Sequence, residues 1–196
     1  LLKGAGVNLQ YYDYQKYPEN DKVHFLYLGR IMKEKGMDEL FSAAKELQRK
    51  DVPFVLDLVG FFEDEYKEKI DKLVDAKIAV FHGFQEDPRP YYAMADCVVL
   101  PSYHEGMSNV LLEAAATGRP VITSNIPGCK EAVDDGKSGF LCEARDWNNL
   151  YLKMDKIAHM SHVEREAMGL CARDKMMQEF DKNKVVKKTI QGIVRV

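Results

Sequence analysis

The chain has 196 residues, and its 28 Lys and Arg against 31 Asp and Glu leave a formal charge of −3. This near-neutral balance argues against a general nucleic-acid binder, which would carry a strongly basic face. A hydrophobic content of 46% with 30% charged residues is that of a soluble globular domain and excludes a disordered chain. No run approaches the ~18 consecutive apolar residues of a membrane span.

The first residues carry neither the basic stretch nor the apolar core of a secretory signal, so we expect a cytoplasmic protein. Since the chain begins at Leu1 and not at methionine, we also expect it to be part of a longer protein. Its four cysteines form no Cys-x-x-Cys pair and predict neither a zinc site nor a disulfide framework. We expect no metal and no other cofactor.

Residues 1–22 are predicted to be an N-terminal segment that leads into a single domain at 23–196. We expect its tyrosine cluster, Tyr11, Tyr12, Tyr14 and Tyr17, to pack on a neighbouring surface without a chemical role. Beyond it, short apolar runs predict strands at 23–29, 53–60, 78–83, 97–100, 120–124 and 139–142. Helical spacing predicts helices at 37–50, 65–76, 90–95 and 108–118, a short helix before the sixth strand, and a helical tail from residue 146.

Short, nearly continuous apolar strands that alternate with helices are typical of a parallel sheet covered on both faces. With right-handed crossovers, this pattern predicts an α/β, doubly wound, Rossmann-like domain of about six parallel strands with a helical C-terminal tail. In such sheets the ligand binds outside the carboxyl ends of the strands. The loops after the first and fourth strands are therefore the predicted location of a binding site.

The loop after the first strand brings two cations together. Gly29 lets the backbone turn sharply, and Arg30 and Lys35 can converge on one anion before Gly36. Arg offers a planar fork for phosphate oxygens, and Lys offers a compact point charge. The alternative is an ordinary solvated basic loop in which Gly36 only ends a turn. Neither the Gly-x-Gly-x-x-Gly dinucleotide fingerprint nor the P-loop pattern occurs in this loop.

Two glutamates lie around a predicted helix start after the fourth strand. Glu105 lies in the loop, and Gly106 lets the backbone approach a ligand. Ser108 is the predicted N-cap, and Glu113 lies ~7 Å further along the helix. Carboxylates on either side of a helix N-terminus suit a ligand with hydroxyls at both ends and phosphate between them. The alternative is a surface charge at Glu113 and a loop acid at Glu105 that favours the helix dipole.

These motifs resemble those of the retaining glycosyltransferases of family 4 (group 1). The stretch 105–114, EGMSNVLLEA, is similar to the family signature of Glu, seven residues and Glu. Gly29, Arg30, Lys35 and Gly36 match the family pattern Gly-Arg-x-x-x-x-Lys-Gly. Residues 118–141 and the Gly-Val-Asn at 6–8 also resemble family segments. The resemblance covers essentially the whole chain, with its blocks in the expected order.

The resemblance implies a GT-B architecture, in which two Rossmann-like domains face a cleft, and this chain resembles the second, donor-binding domain. The N-terminal segment would then arrive from a missing N-terminal domain. The resemblance places the donor diphosphate at Arg30 and Lys35 and the ribose hydroxyls at Glu113. It places the hydroxyls of the transferred sugar, near the reacting carbon, at Glu105, which is the expected catalytic residue.

The remaining donor contacts follow from the same resemblance. Backbone amides at the helix start would face the distal phosphate, and the nucleotide base would lie near the end of the third strand, around His82. The donor-binding residues assigned in this way are Gly29, Gly83, Phe84, His104, Gly106, Met107, Ser108, Asn109 and Val110. For His104 the alternative is a loop histidine that only fixes the backbone, and for Met107 it is apolar closure of the loop.

The implied reaction is sugar transfer with retention of anomeric configuration, proposed for the family to proceed by front-side attack. We expect a UDP-linked hexose or N-acetylhexosamine as donor. The acceptor would be a glycan or lipid-linked sugar in surface polysaccharide synthesis, held by the missing N-terminal domain. Because the cations and the helix N-terminus stabilise the leaving phosphate, no metal is expected, and the acidic run 63–65 is interpreted as a solvated helix start.

The isolated chain is expected to be inactive alone and to have no nucleic-acid partner. Peripheral contact of the full-length enzyme with the inner face of the cytoplasmic membrane stays open. Two other functions also stay open. A nucleotide-sugar epimerase would need acid–base residues on both sides of the sugar, for which the motifs offer only Glu105 and His104. The other alternative is a non-catalytic module that binds nucleotide sugars.

Overall fold

Runs of mostly buried Val, Leu, Ile and Phe residues form the strands of one sheet. The computed structural model describes residues 4, 6–62 and 66–193. Within them the strands are β1 (Val23–Leu28), β2 (Phe54–Val59), β3 (Ala79–Gly83), β4 (Cys97–Leu100), β5 (Val121–Ser124) and β6 (Gly139–Cys142). All of them pair in parallel. Every residue of β4 and β5 is buried, which explains why these strands lack an alternating polar pattern.

The strand order, β3-β2-β1-β4-β5-β6, reverses direction between β1 and β4. From β1 the chain crosses to β2 on one side, and from β4 it crosses to β5 on the other side. The loops that leave the carboxyl ends of β1 and β4 therefore diverge. The crevice between them is where doubly wound sheets bind their ligands.

Helices connect the strands and form the C-terminal tail. They are α1 (Met37–Arg49), α2 (Lys67–Asp75), α3 (Arg89–Met94), α4 (Asn109–Ala116), α5 (Trp147–His159), α6 (His162–Lys175) and α7 (Lys182–Ile193). Short 3₁₀ turns precede α1 and β6, and a π-helical turn joins α6 to α7. α1 packs against α5, and α4 packs against α6.

This architecture confirms the predicted fold class. The strands and helices α1 to α4 begin and end within two residues of the predicted bounds. The acidic run 63–65, interpreted as a helix start, lies outside the described residues. Local apolar periodicity was therefore sufficient to locate the elements of this sheet.

The N-terminal segment packs against the same core as the sheet. The Val7 N–H donates to the Phe180 carbonyl at 2.8 Å, and the Lys182 N–H donates to the Val7 carbonyl at 3.0 Å, which ties the segment to the start of α7. Tyr17 is buried, and its hydroxyl donates to the Asp96 carbonyl. The origin of this segment in a separate domain stays a prediction.

Arg119 fastens the segment to α3. Its guanidinium is fully buried and donates to the carbonyls of Gln15 and Lys16 in the segment and of Tyr92 and Ala93 on α3, at 2.8 to 3.1 Å. A buried charge requires such hydrogen-bond partners because it has lost its contact with water. The cation therefore holds two parts of the chain together through their backbone oxygens.

Candidate functional site

The crevice between β1 and β4 contains a cavity of about 300 Å³, named here the central cavity. It is lined by Leu28, Gly29, Arg30, Lys35, Leu100, Glu105, Met107, Ser108, Asn109 and Val110. The fold thus brings most of the predicted site residues, from two separate motifs, around one space. Their roles toward a ligand stay predictions.

The loops after β1 and β4 are in direct contact. Gly36 has a φ of +72°, and a Cβ at this position would lie 2.1 Å from the Pro101 carbonyl oxygen, so glycine is required. The Tyr103 N–H donates to the Glu34 carbonyl at 2.8 Å, and the Tyr103 hydroxyl donates to the Glu39 carboxylate on α1. These contacts set the spacing between the two loops and therefore the width of the cavity.

Lys35 and Glu105 form an ion pair in the wall of the central cavity. Lys35 Nζ lies 2.7 Å from Glu105 Oε1, and the Ser102 hydroxyl donates to the same oxygen at 2.8 Å. The two charged side chains are only 16% and 14% exposed, so solvent screens this pair less than a surface pair. Arg30 lines the same cavity and is exposed. The cavity therefore combines two cations with one carboxylate.

The first turn of α4 forms another part of the wall of the central cavity. Ser108 occupies the N-cap position, but among the described residues its side chain makes no capping hydrogen bond. Its N–H donates instead to the Gly128 carbonyl at 3.0 Å. Gly128, with a φ of +87°, passes so close to Gly106 that a Cβ would lie 2.0 Å from the Gly106 oxygen. Since first-turn N–H groups lack intrahelical acceptors, this helix end adds partial positive charge to the cavity.

Glu113 faces a smaller cavity of about 140 Å³, named here the side cavity. Asn109 lines both cavities, so they adjoin at the first turn of α4. The Tyr92 hydroxyl donates to Glu113 Oε2 at 2.9 Å, and the Tyr12 hydroxyl interacts with the same carboxylate. Burial raises the pKa of Glu113, and the interactions with these two hydroxyls oppose that rise. The side cavity is lined by Gly6, Val7, Asn8, Tyr12, Asn109, Leu112, Glu113 and Lys182.

Gly83 and Phe84, predicted to contact the base, lie at the carboxyl end of β3. Neither is among the described residues that line the central or side cavity. Phe84 is 64% exposed and meets Phe61 edge-on, with ring centroids 6.1 Å apart. The Gly60 N–H donates to the Gly83 carbonyl at 2.9 Å, which fixes the end of this strand. Contact of the exposed aromatic pair with a base stays a prediction.

Asp57 joins two histidines on neighbouring strands. His24 Nδ1 lies 2.8 Å from Asp57 Oδ2, and His82 Nε2 lies 2.7 Å from Asp57 Oδ1. Asp57 is buried, and a buried carboxylate requires hydrogen-bond partners such as these two rings. The hydrogen bond to Asp57 raises the pKa of His24. The His82 ring, expected beside a nucleotide base, is thus already bonded to a protein carboxylate.

His104 and Gly106 are exposed in the loop that precedes α4. Within the described part of the chain they line neither cavity, and their donor contacts stay predictions. Met107 does line the central cavity, and it also contacts the N-terminal segment, because a Cβ at Gly4 would lie 2.8 Å from Met107 Cγ. This position suits both apolar closure of the loop and contact with a ligand.

Three residues with hydroxyl groups at the site were not predicted from the sequence. Ser102 lies two residues after the end of β4 and three residues before Glu105, so a polar residue close to a strand end was the available signal. Tyr92 is 21 residues from Glu113 and lies in a predicted helix, where its pattern indicates only a core residue. Tyr12 belongs to the tyrosine cluster that was expected to have no chemical role, and it lines the side cavity together with Glu113.

Within the described residues, no group of three or more His, Cys, Asp and Glu side chains is arranged to hold a metal ion. The expectation that the site works without a metal stays a prediction. None of the helices in the described part of the chain is both long and apolar enough to cross a membrane.

The family Glycosyl transferases group 1 matches residues 13–175. This match includes the loops after β1 and β4 and both site glutamates. The chain therefore belongs to the group 1 glycosyltransferase family.

Individual proteins are similar to this chain over most of its length. The capsular polysaccharide biosynthesis glycosyltransferase CapM of Staphylococcus aureus is 31% identical over 166 residues, which are 82% of this chain and 43% of CapM. The chain thus spans less than half the length of this curated relative.

Two solved structures share the fold. HepE of Anabaena, solved in complex with UDP-glucose, superposes with a TM-score of 0.81 at 19% identity, over 97% of this chain and 56% of HepE. The C-terminal domain of LpcC, a glycosyl transferase group 1 family protein of Francisella tularensis, gives a TM-score of 0.76 at 23% identity, over 90% of this chain and 99% of that domain. The chain has the fold of one Rossmann-like half of a GT-B protein.

Proposed function

We propose that this chain is the C-terminal, donor-binding domain of a retaining glycosyltransferase of family 4 and that it binds a nucleoside diphosphate sugar. UDP-sugar is the expected donor. Residues 1–22 then lead in from an N-terminal domain that holds the acceptor, and residues 23–196 form the donor domain. The match to 99% of the LpcC C-terminal domain supports this division, and the UDP-glucose bound by HepE supports the choice of donor.

The observation that carries the proposal is the convergence of positive charge on the central cavity. Arg30 and Lys35 from the loop after β1, and the first turn of α4 from the chain after β4, border one space. Cleavage of a sugar–diphosphate bond leaves negative charge on the departing phosphate oxygen. Positive groups that are fixed in advance stabilise this charge as it develops. In this proposal the protein's own groups balance the charge, and no metal or cofactor takes part.

The two glutamates bind the hydroxyl-bearing ends of the donor. Glu113 accepts hydrogen bonds from the ribose hydroxyls, for which the side cavity beside α4 offers space. Glu105 contacts the hydroxyls of the transferred sugar near the reacting carbon, close to the cation that holds the phosphate. The distance of 2.7 Å between Lys35 and Glu105 supports this arrangement, since phosphate and sugar are joined directly in the donor.

The complete enzyme transfers the sugar with retention to a glycan or lipid-linked sugar, in the synthesis of surface polysaccharide. The similarity to CapM, a capsular polysaccharide biosynthesis enzyme, supports this class of product. The enzyme works in the cytoplasm, where its lipid-linked acceptor would bring it to the inner face of the membrane. Because the acceptor site lies on the other domain, this chain alone binds the donor and transfers nothing.

Isothermal titration calorimetry of the purified chain with UDP, UDP-glucose and UDP-N-acetylglucosamine tests donor binding. We expect UDP to bind and Lys35→Met to weaken binding about tenfold or more, because a charged hydrogen bond to phosphate contributes ~1.5–3 kcal/mol. Lys22→Met is the matched control, since Lys22 lies exposed just before β1, at the opposite end of that strand. No binding of any nucleoside diphosphate, or equal weakening by both variants, contradicts the proposal.

The reaction is tested by incubating the chain with a UDP-sugar and a lipid-linked acceptor, alone and within the complete polypeptide. We expect product only from the complete polypeptide, with the anomeric configuration of the donor preserved in the NMR spectrum. Turnover by the chain alone contradicts the assignment of the acceptor site to a second domain. Inverted product contradicts the retaining mechanism.

A further inference from the structure

A hydroxyl group of the N-terminal segment reaches the helix that carries Glu113. Tyr12 lies at the end of the turn 8–12, in which two N–H groups donate to Asn8 Oδ1 and the Tyr12 N–H donates to the Asn8 carbonyl. This turn places the Tyr12 ring edge-on to Tyr92, with ring centroids 6.2 Å apart. The Tyr92 hydroxyl donates to the Glu113 carboxylate, and Tyr12 lines the side cavity together with Glu113 and interacts with its carboxylate.

The surroundings of Glu113 explain why these hydroxyls matter. An ionised carboxylate offers about four acceptor positions, and partial burial disfavours its charge unless donors fill some of them. Tyr92 from α3 fills one position, and Tyr12 from the N-terminal segment offers a second donor beside the carboxylate, while Lys182 from α7 lines the same side cavity. About two positions therefore remain for ligand hydroxyls.

We propose that Tyr12 and Tyr92 are positioning residues, which hold the Glu113 carboxylate ionised and oriented so that its remaining acceptor positions take the ribose hydroxyls of the donor. The N-terminal segment is then part of the donor site, although it lies outside the sheet. This inference rests on the proposed function, because it assigns partners to the residue that binds ribose there.

The two tyrosines differ in how strongly they depend on the core. Tyr92 is fully buried, whereas Tyr12 is only partly buried. Phenylalanine at position 12 keeps the ring and its edge-on contact and removes only the hydroxyl. Tyr12→Phe is therefore the variant that changes the hydrogen bond with the smallest effect on folding.

Calorimetry with UDP and with 2′-deoxy-UDP tests the inference. Without the Tyr12 hydroxyl, the pKa of Glu113 rises further, so the carboxyl is protonated at a higher pH than in the wild type. We expect Tyr12→Phe to bind UDP about tenfold more weakly at neutral pH, with a larger loss as the pH falls. Since 2′-deoxy-UDP lacks one ribose hydroxyl, Tyr12→Phe should weaken its binding less than that of UDP. The difference in affinity between the two ligands is therefore smaller in the variant than in the wild type.

Tyr11→Phe is the matched control, because Tyr11 is 46% exposed and its ring lies under the Arg89 guanidinium. We expect it to bind both ligands as the wild type does. A ¹³C NMR titration of the Glu113 carboxyl carbon measures how Tyr12 affects the pKa of Glu113. The signal is assigned with Glu113→Gln, and the titration is recorded without ligand, so the result does not depend on donor binding. We expect the titration to move to higher pH in Tyr12→Phe alone.

The outcomes separate this inference from the proposed function. If the wild-type chain binds UDP, and Tyr12→Phe changes neither the affinity for UDP nor the titration of Glu113, the inference is wrong but the proposed function stands. Equal weakening of UDP and 2′-deoxy-UDP shows that Tyr12 has a merely structural role and also overturns it. A wild-type chain that binds no nucleoside diphosphate overturns the proposed function, and the inference with it.

Discussion

Lys35 and Glu105 are 70 residues apart in the chain, and their side-chain charges are 2.7 Å apart in the structure. The pair places the phosphate-binding cation and the sugar-binding carboxylate of the proposed site in direct contact. A phosphate that binds Lys35 competes with Glu105 for the same ammonium group. Each of the two residues therefore influences how strongly the other binds its part of the donor.

Glu105→Gln removes this competing charge and preserves the shape of the side chain. We expect UDP to bind about threefold more tightly, the effect of an ion pair worth ~0.7 kcal/mol. UDP-glucose should lose its extra affinity relative to UDP, because the sugar hydroxyls lose a charged acceptor. Calorimetry with both ligands measures this, and Glu34→Gln, exposed on the preceding turn, is the control. Weaker binding of UDP itself contradicts the competition.

Gly36→Ala tests the contact that joins the two site loops. A non-glycine residue at a φ of +72° costs ~1–2 kcal/mol, and the added Cβ would overlap with the Pro101 carbonyl oxygen. We expect a total loss of about 3 kcal/mol or more in the free energy of unfolding and weaker binding of UDP. Urea denaturation monitored by circular dichroism measures the first effect, and calorimetry measures the second.

Gly136→Ala is the matched control for this prediction. Gly136 also has a positive φ, +78°, but none of the described heavy atoms lies within 4 Å of its Cβ position. Its substitution should therefore cost only the ~1–2 kcal/mol of the backbone conformation. Equal losses in the two variants would mean that the contact with Pro101 contributes nothing.

Arg119→Lys tests how the N-terminal segment is held. A lysine ammonium cannot match the fork of a guanidinium, so several of the buried carbonyls around it lose their donor. We expect a loss of about 3 kcal/mol in the free energy of unfolding and faster amide hydrogen exchange in residues 10–17. Arg49→Lys is the control, because Arg49 has a 64% exposed side chain. Unchanged hydrogen exchange in residues 10–17 would show that Arg119 does not hold the N-terminal segment in place.

The pair of His24 and Asp57 predicts a pH dependence of stability. The hydrogen bond to Asp57 raises the pKa of His24, with support from Asp96 and opposition from burial and Lys22. A histidine whose pKa is higher in the folded than in the unfolded state stabilises the fold when it is protonated. This contribution is complete when the pH lies below the pKa of the unfolded state, ~6.5. This contribution is lost as the pH rises through the raised pKa of the folded state.

His24→Asn measures this contribution, because asparagine keeps a neutral donor near Asp57. We expect the stability difference between the wild type and the variant to be largest in acid and to shrink as the pH rises above about 6.5. Urea denaturation at several pH values gives the comparison. His159→Asn is the control, since the His159 side chain is 67% exposed. A difference that does not vary with pH would show that His24 acts through packing alone.

Local patterns along the chain were enough to establish the fold and most of the candidate site. Continuous apolar runs such as 97–100 are typical of buried strands, and the parallel order follows from their alternation with helices. Arg30, Lys35 and Glu105 could be located because each lies in a loop that leaves the carboxyl end of a strand, and the carboxyl ends of parallel strands meet at one edge. These inferences need only neighbours in the sequence.

Contacts between distant side chains depended on folding. Tyr12 and Glu113 line one cavity because the N-terminal segment packs beside α4, and Asp57 joins His24 to His82 because β2 lies between β1 and β3. Apolar periodicity reveals which face of an element is buried, since burial repeats with the period of the backbone. A hydrogen bond between two loops has no such period, so it could be recognised only once strand order and loop conformation had brought its atoms together.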